Sequence, residues 1–247
     1  MKWRQLLFGI VMTLGLWQIL AWLIDRPILP GPVAVLPVFV HELFLGQLGR
    51  HLAVSAFRVL VSIALSLIVA VPAGLALGQS PALNRVFAPL LYIAYPIPKI
   101  VLLPVFLLLL GIGNTSKIAL IAMILFFQIL VVVRDTASAI QPELLWSVRS
   151  LGAGRRALLR YVYVPASVPA MLTALRLSIG IAVSVLFLAE SFATTDGLGY
   201  YIMVESWSRV AYADMYAGVV AMSLLGLALY YLADWLEHRL APWRFLD

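Results

Sequence analysis

Long stretches without a single charge set the limits on this chain's fold. Windows 5–24, 59–84, 118–133 and 215–233 contain no Asp, Glu, Lys or Arg, and windows 86–116 and 161–189 contain one charge each, Lys99 and Arg176. A helix rises about 1.5 Å per residue, so about 20 apolar residues cross about 30 Å of hydrocarbon. Six windows reach or approach that length, which predicts an all-α integral membrane protein with six transmembrane helices. Window 59–84 is useful as far as about Gly78, and 118–133 is short enough to need tilt or local thinning of the bilayer. Composition agrees: 64% of the 247 residues are apolar and 11% are charged, against about 45–50% and about 25% in soluble domains. Disordered, collagen-like and nucleic-acid-binding chains are excluded by the same balance. With no Cys, disulfides, thiol nucleophiles and cysteine metal sites are excluded as well.

Lys2 and Arg4 precede the first window and mimic the start of a signal peptide, but the apolar run is too long and no small-x-small cleavage site precedes Asp25. It reads as a peripheral first helix over 5–24. With the N-terminus inside, ten of the 17 Lys and Arg fall in inside segments and five, including Arg58 and Lys117, in outside ones. That bias puts both termini in the cytoplasm. No linker or second domain interrupts the chain, which reads as one unit with a core over 55–240. Stretch 25–58 turns helix-like from about Val35 to Phe57, and stretch 134–161 is basic and faces inward.

Catalytic tools are missing. His41, His51 and His238 are widely spaced with no HExxH, and there is no GxSxG. The string Gly111-Ile-Gly-Asn-Thr-Ser-Lys117-Ile118 lacks the second Gly and the Ser/Thr that a nucleotide-phosphate loop needs. The chain therefore reads as a non-enzyme that binds no cofactor itself. Uphill transport would draw on a partner or on an ion gradient.

The stretch 141–189 carries the most specific pattern. A short helix meets a Leu151-Gly152-Ala153-Gly154 break, then a basic second helix, then Pro165 and Pro169 at the start of a span. Nine residues separate Gly152 from Val162-Tyr163-Val164-Pro165. This spacing resembles the EAA loop of ABC importer permeases, E-A-A-x3-G-x9-I-x-L-P. The acidic first position falls on Trp146, with Glu143 one turn earlier, and the next two fall on Ser147 and Val148. Further strings, Pro72-Ala-Gly-Leu-Ala-Leu-Gly78, Tyr95-Pro-Ile-Pro98 with Pro104, Gly111-Ile-Gly113, Ala189-Glu190 and Asp196-Gly-Leu-Gly-Tyr200, resemble the nitrate/sulfonate/taurine branch of binding-protein-dependent permeases.

That resemblance implies a MetI-like type I importer fold in the bacterial cytoplasmic (inner) membrane. It implies a cytoplasmic coupling loop over about 134–165 that docks on an ATPase subunit. It also implies two ATPase chains carrying ATP and Mg, a second permease copy forming a homodimer, and an extracytoplasmic solute-binding protein. The branch carries nitrate, bicarbonate-like anions, sulfonates, taurine and vitamin precursors, so an anion is the expected solute. On this reading Glu143, Val148, Leu151, Gly152, Ala153, Gly154 and Pro165 belong to ATPase coupling. Pro96, Pro98, Lys99, Arg176 and Glu190 border the translocation pathway, with structural pairing the alternative for Arg176 and packing for Glu190. Gly74-x3-Gly78 has the spacing of a close helix crossing. An ATP-independent secondary transporter or channel remains the alternative; it should show inverted halves and buried ion-coupling acids.

Overall fold

The computed structural model describes residues 3–245. Lys2, one of the inside set, lies outside the described residues. Eleven α-helices are found among the described residues. In order they are α1 (Trp3–Ile24), α2 (Pro32–Phe44), α3 (Leu48–Gln79), α4 (Pro81–Ala94), α5 (Leu103–Leu110), α6 (Asn114–Ser138), α7 (Pro142–Ser150), α8 (Arg155–Leu158), α9 (Val164–Ser191), α10 (Leu198–Tyr200) and α11 (Tyr212–Leu240). A 3-10 turn, Lys99–Leu102, leads into α5, and a π turn, Leu159–Tyr163, joins α8 to α9. The helix-like stretch expected from Val35 to Phe57 is broken at 45–47, where α2 ends and α3 begins.

Five helical segments are long and apolar enough to span: 7–24, α3, α6, Arg155–Ser191 and α11. The expected third span departs from the straight helix read from the sequence. Pro81–Ala94 and Lys99–Leu110 meet at a bend of 83°. The cause is local: Pro96 and Pro98 have no N–H to continue the ladder. Ser116, assigned to the end of that span, belongs instead to α6.

By packing, the chain divides into two compact units. One takes the chain up to Ala56 with Phe187–Leu225; the other takes Phe57–Leu186 with Gly226 onward. In the second unit, α3 and α6 share a seam with a constant register. Arg58 Nε donates to Asn114 Oδ1 at 2.8 Å, Ser62 Oγ to Ile118 O at 3.1 Å, and Ser66 Oγ to Ala122 O at 2.8 Å. Gly74 then faces Leu130 O, and Gly78 faces Arg134 O. Every pair is separated by 56 residues, so the two helices run in the same direction. Their contact rows advance four residues at a time, the ridge spacing of close helix packing.

This register settles the path of the bent pair. The chain leaves α3 beside Arg134 and starts α6 beside Arg58, and those levels are 20 residues, or about 30 Å, apart along the helix. α4 and α5 must carry it back over that distance, so they form a broken crossing and not a re-entrant loop. Counted as one broken span, the pair brings the candidate spans among the described residues to six.

Arg58 and Lys117, read as lying in outside segments, are built into α3 and α6. Lys117 is fully buried, and its Nζ donates to Ile112 O at 2.8 Å and Gly113 O at 3.3 Å. The charged group is tolerated there because it donates to carbonyls of the turn between α5 and α6.

Candidate functional site

The 142–163 segment forms a knuckle. Pro142 starts α7, where its missing N–H costs nothing. α7 ends at Leu151, and Gly152 follows with φ +83°. An L side chain resists that left-handed conformation, so a glycine holds the corner. A Cβ on Gly152 or Gly154 would meet nothing within 4 Å; Leu151 at the apex is 86% exposed. Glu143 lies in the first turn of α7, Val148 is half-buried, Ala153 lies in the corner, and Gly154 caps α8. In the π turn the Val164 N–H reaches Leu159 O, five residues back. This widened turn absorbs the donor that Pro165 lacks, and helix continues from Arg155 to Ser191. Glu143, Val148 and 151–154 of the sequence reading thus sit on one protrusion, and Pro165 lies at the start of the long span it joins.

Lys99 stands at the break in the third crossing. Its Nζ donates to Tyr95 O at 2.6 Å, Ala94 O at 3.0 Å and Ile97 O at 3.2 Å, and lies 4.6 Å from the centre of the Phe127 ring. An ammonium has three donors, and here all are directed at the frayed end of α4. Lys99→Met is expected to lower stability by about 1–3 kcal/mol through the stranded carbonyls and to leave the solute KM unchanged. Thermal unfolding and uptake kinetics check the two halves separately.

Arg176 on α9 pairs with Asp234 on α11 and lies 3.5 Å from Glu237 Oε2. Glu237 is 1% exposed and also accepts from Thr173 Oγ1 at 3.0 Å and from Arg244. Both carboxylates have cationic partners, so this is a network tying α9 to α11. Arg176→Met is expected to cost about 1–3 kcal/mol, since Asp234 loses its guanidinium while Glu237 keeps Arg244 and Thr173. Adding Asp234→Asn should recover part of the loss in a double-mutant cycle read by thermal unfolding.

In the first unit Glu190 is fully buried. It accepts from Ser55 Oγ at 2.7 Å and Gly199 N at 3.1 Å, while Leu198 N donates to Ser55 Oγ at 2.8 Å. Gly197 N donates to His51 Nδ1 at 3.0 Å, and Arg50 pairs with Asp196 at 2.7 Å. These bonds fasten the 196–199 turn to the start of α3. Glu190 is thus enclosed by protein, and its surroundings are those of packing. Sequence reasoning missed His51 and Ser55, since a lone His and a lone Ser carry no pattern. Close by, burial and then the Glu42 carboxylate push the Tyr201 phenol well above its usual pKa; it stays protonated and donates to Glu42 at 3.4 Å. Among the described residues no cluster of His, Asp and Glu is arranged to hold a metal.

Comparison with known proteins agrees with this architecture. Residues 62–243 match the family described as Binding-protein-dependent transport system inner membrane component. The taurine transport system permease protein TauC of Escherichia coli (strain K12) is 32% identical over 197 residues, covering 79% of this chain and 71% of its own. The formylaminopyrimidine transport permease protein ThiX of Halalkalibacterium halodurans is 28% identical over 95% of this chain and 93% of its own. An inward-facing structure of the MetNI methionine ABC transporter superposes with a TM-score of 0.67 at 19% identity, over 81% of this chain and 98% of that one; it shares the fold. A six-crossing helical chain with a glycine-cornered knuckle and a family match across most of its length belongs to the binding-protein-dependent inner membrane components, the multi-pass permease subunits of ABC importers.

Proposed function

We propose that two copies of this chain form the route for a small anion of the taurine, sulfonate or nitrate kind. An extracytoplasmic binding protein delivers the solute, and two ATPase subunits dock on the 142–163 knuckle from the cytoplasm. ATP and Mg belong to those subunits. Six crossings put both ends of the chain on one side, and the basic bias makes that side the cytoplasm. The broken crossing at Pro96 and Pro98 borders the route, since Tyr95 and Ile97 are exposed beside it.

The knuckle is the observation that carries this reading. Leu151 and Gly152 project with no packing of their own around them, and the corner is joined without a loop to the helical run Arg155–Ser191. ATP-driven closure of the docked subunits would move that run as a near-rigid body. Support for an anion comes from kinship with the taurine permease. Lys99 adds none, because its donors are already engaged.

The test is purification of the tagged chain in mild detergent, followed by reconstitution with its binding protein. Two copies each of this chain and of a nucleotide-hydrolysing subunit are expected, with uptake of labelled taurine or another sulfonate that requires ATP inside and binding protein outside. Uptake by the chain alone in liposomes without ATP would favour the secondary transporter.

A further inference from the structure

Trp146 projects from α7 on the side turned away from the chain's own packing. Leu145 and Val148 are the half-buried residues of α7 and mark its inward side. Residues three and four apart share a helix face, so Trp146 shares its face with Pro142, Glu143, Arg149 and Ser150, all exposed. Trp146 itself is 62% exposed. A helix lying on a bilayer gathers its apolar residues along one side; an indole flanked by Glu143, Arg149 and Ser150 does not fit that arrangement. It fits a protein interface, where an aromatic anchor inside a polar rim carries much of the binding energy. The rim here is basic. Arg149, Arg155, Arg156 and Arg160 are exposed around the corner, and Glu143 is the only acid between 142 and 163.

Resting on the coupling reading above, we propose that Trp146 is the anchor by which this chain selects its ATPase. The indole enters an apolar pocket in the docking groove of the ATPase subunit, and carboxylates on the rim of that groove face Arg149, Arg155 and Arg156. A groove built to receive a carboxylate at this place would present a donor or cation to the indole and be refused. Trp146 thus sets which motor the permease accepts, beyond the general fact of docking.

The absence of Cys lets Ser150→Cys, one turn along the same face, carry a single bimane label with Trp146 intact. The labelled chain is placed in nanodiscs and given the ATPase subunit that sustains uptake with the wild-type chain. The label's emission is expected to shift to the blue on ATPase addition and to escape quenching by brominated lipids beforehand. In unlabelled complexes, Trp146→Ala is expected to weaken ATPase binding about 30-fold, with Trp146→Phe close to wild type. Arg155→Glu combined with Arg156→Glu should slow association about tenfold at low salt, with the difference shrinking as salt rises. A label quenched by brominated lipids makes this face a membrane contact and overturns the proposal. An ATPase that binds wild type and Trp146→Ala equally overturns the anchor and leaves the coupling reading standing. A wild-type chain that binds no ATPase removes both.

Discussion

Gly152→Trp is expected to abolish solute uptake while leaving the chain inserted at wild-type yield. Two effects are separable at this position. The first is conformational: φ is +83°, and an L residue there costs roughly 1–2 kcal/mol, too little to unfold a six-crossing bundle. The second is steric. No atom of the chain lies within 4 Å of the Cβ position, so an indole meets no clash inside the protein and projects where an ATPase would seat. Gly152→Asn isolates the first effect, because Asn tolerates the left-handed region, and it should retain most uptake. Proteoliposome uptake, ATP hydrolysis and co-purification of the ATPase are measured together. Hydrolysis that persists without uptake would show docking without transmission, and full uptake by the Trp variant would sink the docking assignment.

Gly78→Leu should have the largest effect on stability. A Cβ at this position would lie 2.5 Å from Ala137 Cβ and 2.6 Å from Arg134 O. One of those atoms is backbone and cannot swing aside, so α3 and α6 would have to separate. A loss of at least about 3 kcal/mol is expected, seen as a collapse in yield of folded, detergent-soluble chain. Gly74→Leu should follow closely, with Val133 Cβ at 2.8 Å and Leu130 O at 2.9 Å. Gly180→Ala supplies the control. It sits in α9 with nothing within 4 Å, and there the better helix former should be neutral or slightly stabilising. If Gly78→Ala proved as harmless as Gly180→Ala, the close crossing would be refuted.

The crossings were legible because hydrocarbon thickness imposes a length that few charge-free windows meet by accident. The knuckle was legible because a glycine corner and a proline leave marks at fixed spacing. The α3–α6 seam was only half read. Gly74 and Gly78 stood out, but Arg58, Ser62, Ser66 and Ala70 continue the same four-residue step toward the N-terminus and passed unnoticed. The serines there satisfy carbonyls of another helix, and sequence alone does not name the acceptor. Lys99 illustrates a different limit. A charge within a span signals a polar partner but not its identity, and the partners here are carbonyls at the break, Ala94 O among them left without a helical donor by Pro98. Glu190, Gly197, His51 and Ser55 come together from positions up to 146 residues apart, and no local pattern announces such a meeting.

The shared register of α3 and α6 has a bearing on how the transporter works. Two rods toothed together at every turn, by hydroxyls at one end and bare backbone at the other, cannot slide past each other without breaking several bonds at once. They form a keel. Whatever rocking admits and releases solute must pivot around that fixed plank, and the place left with freedom to yield is the proline elbow at 95–98.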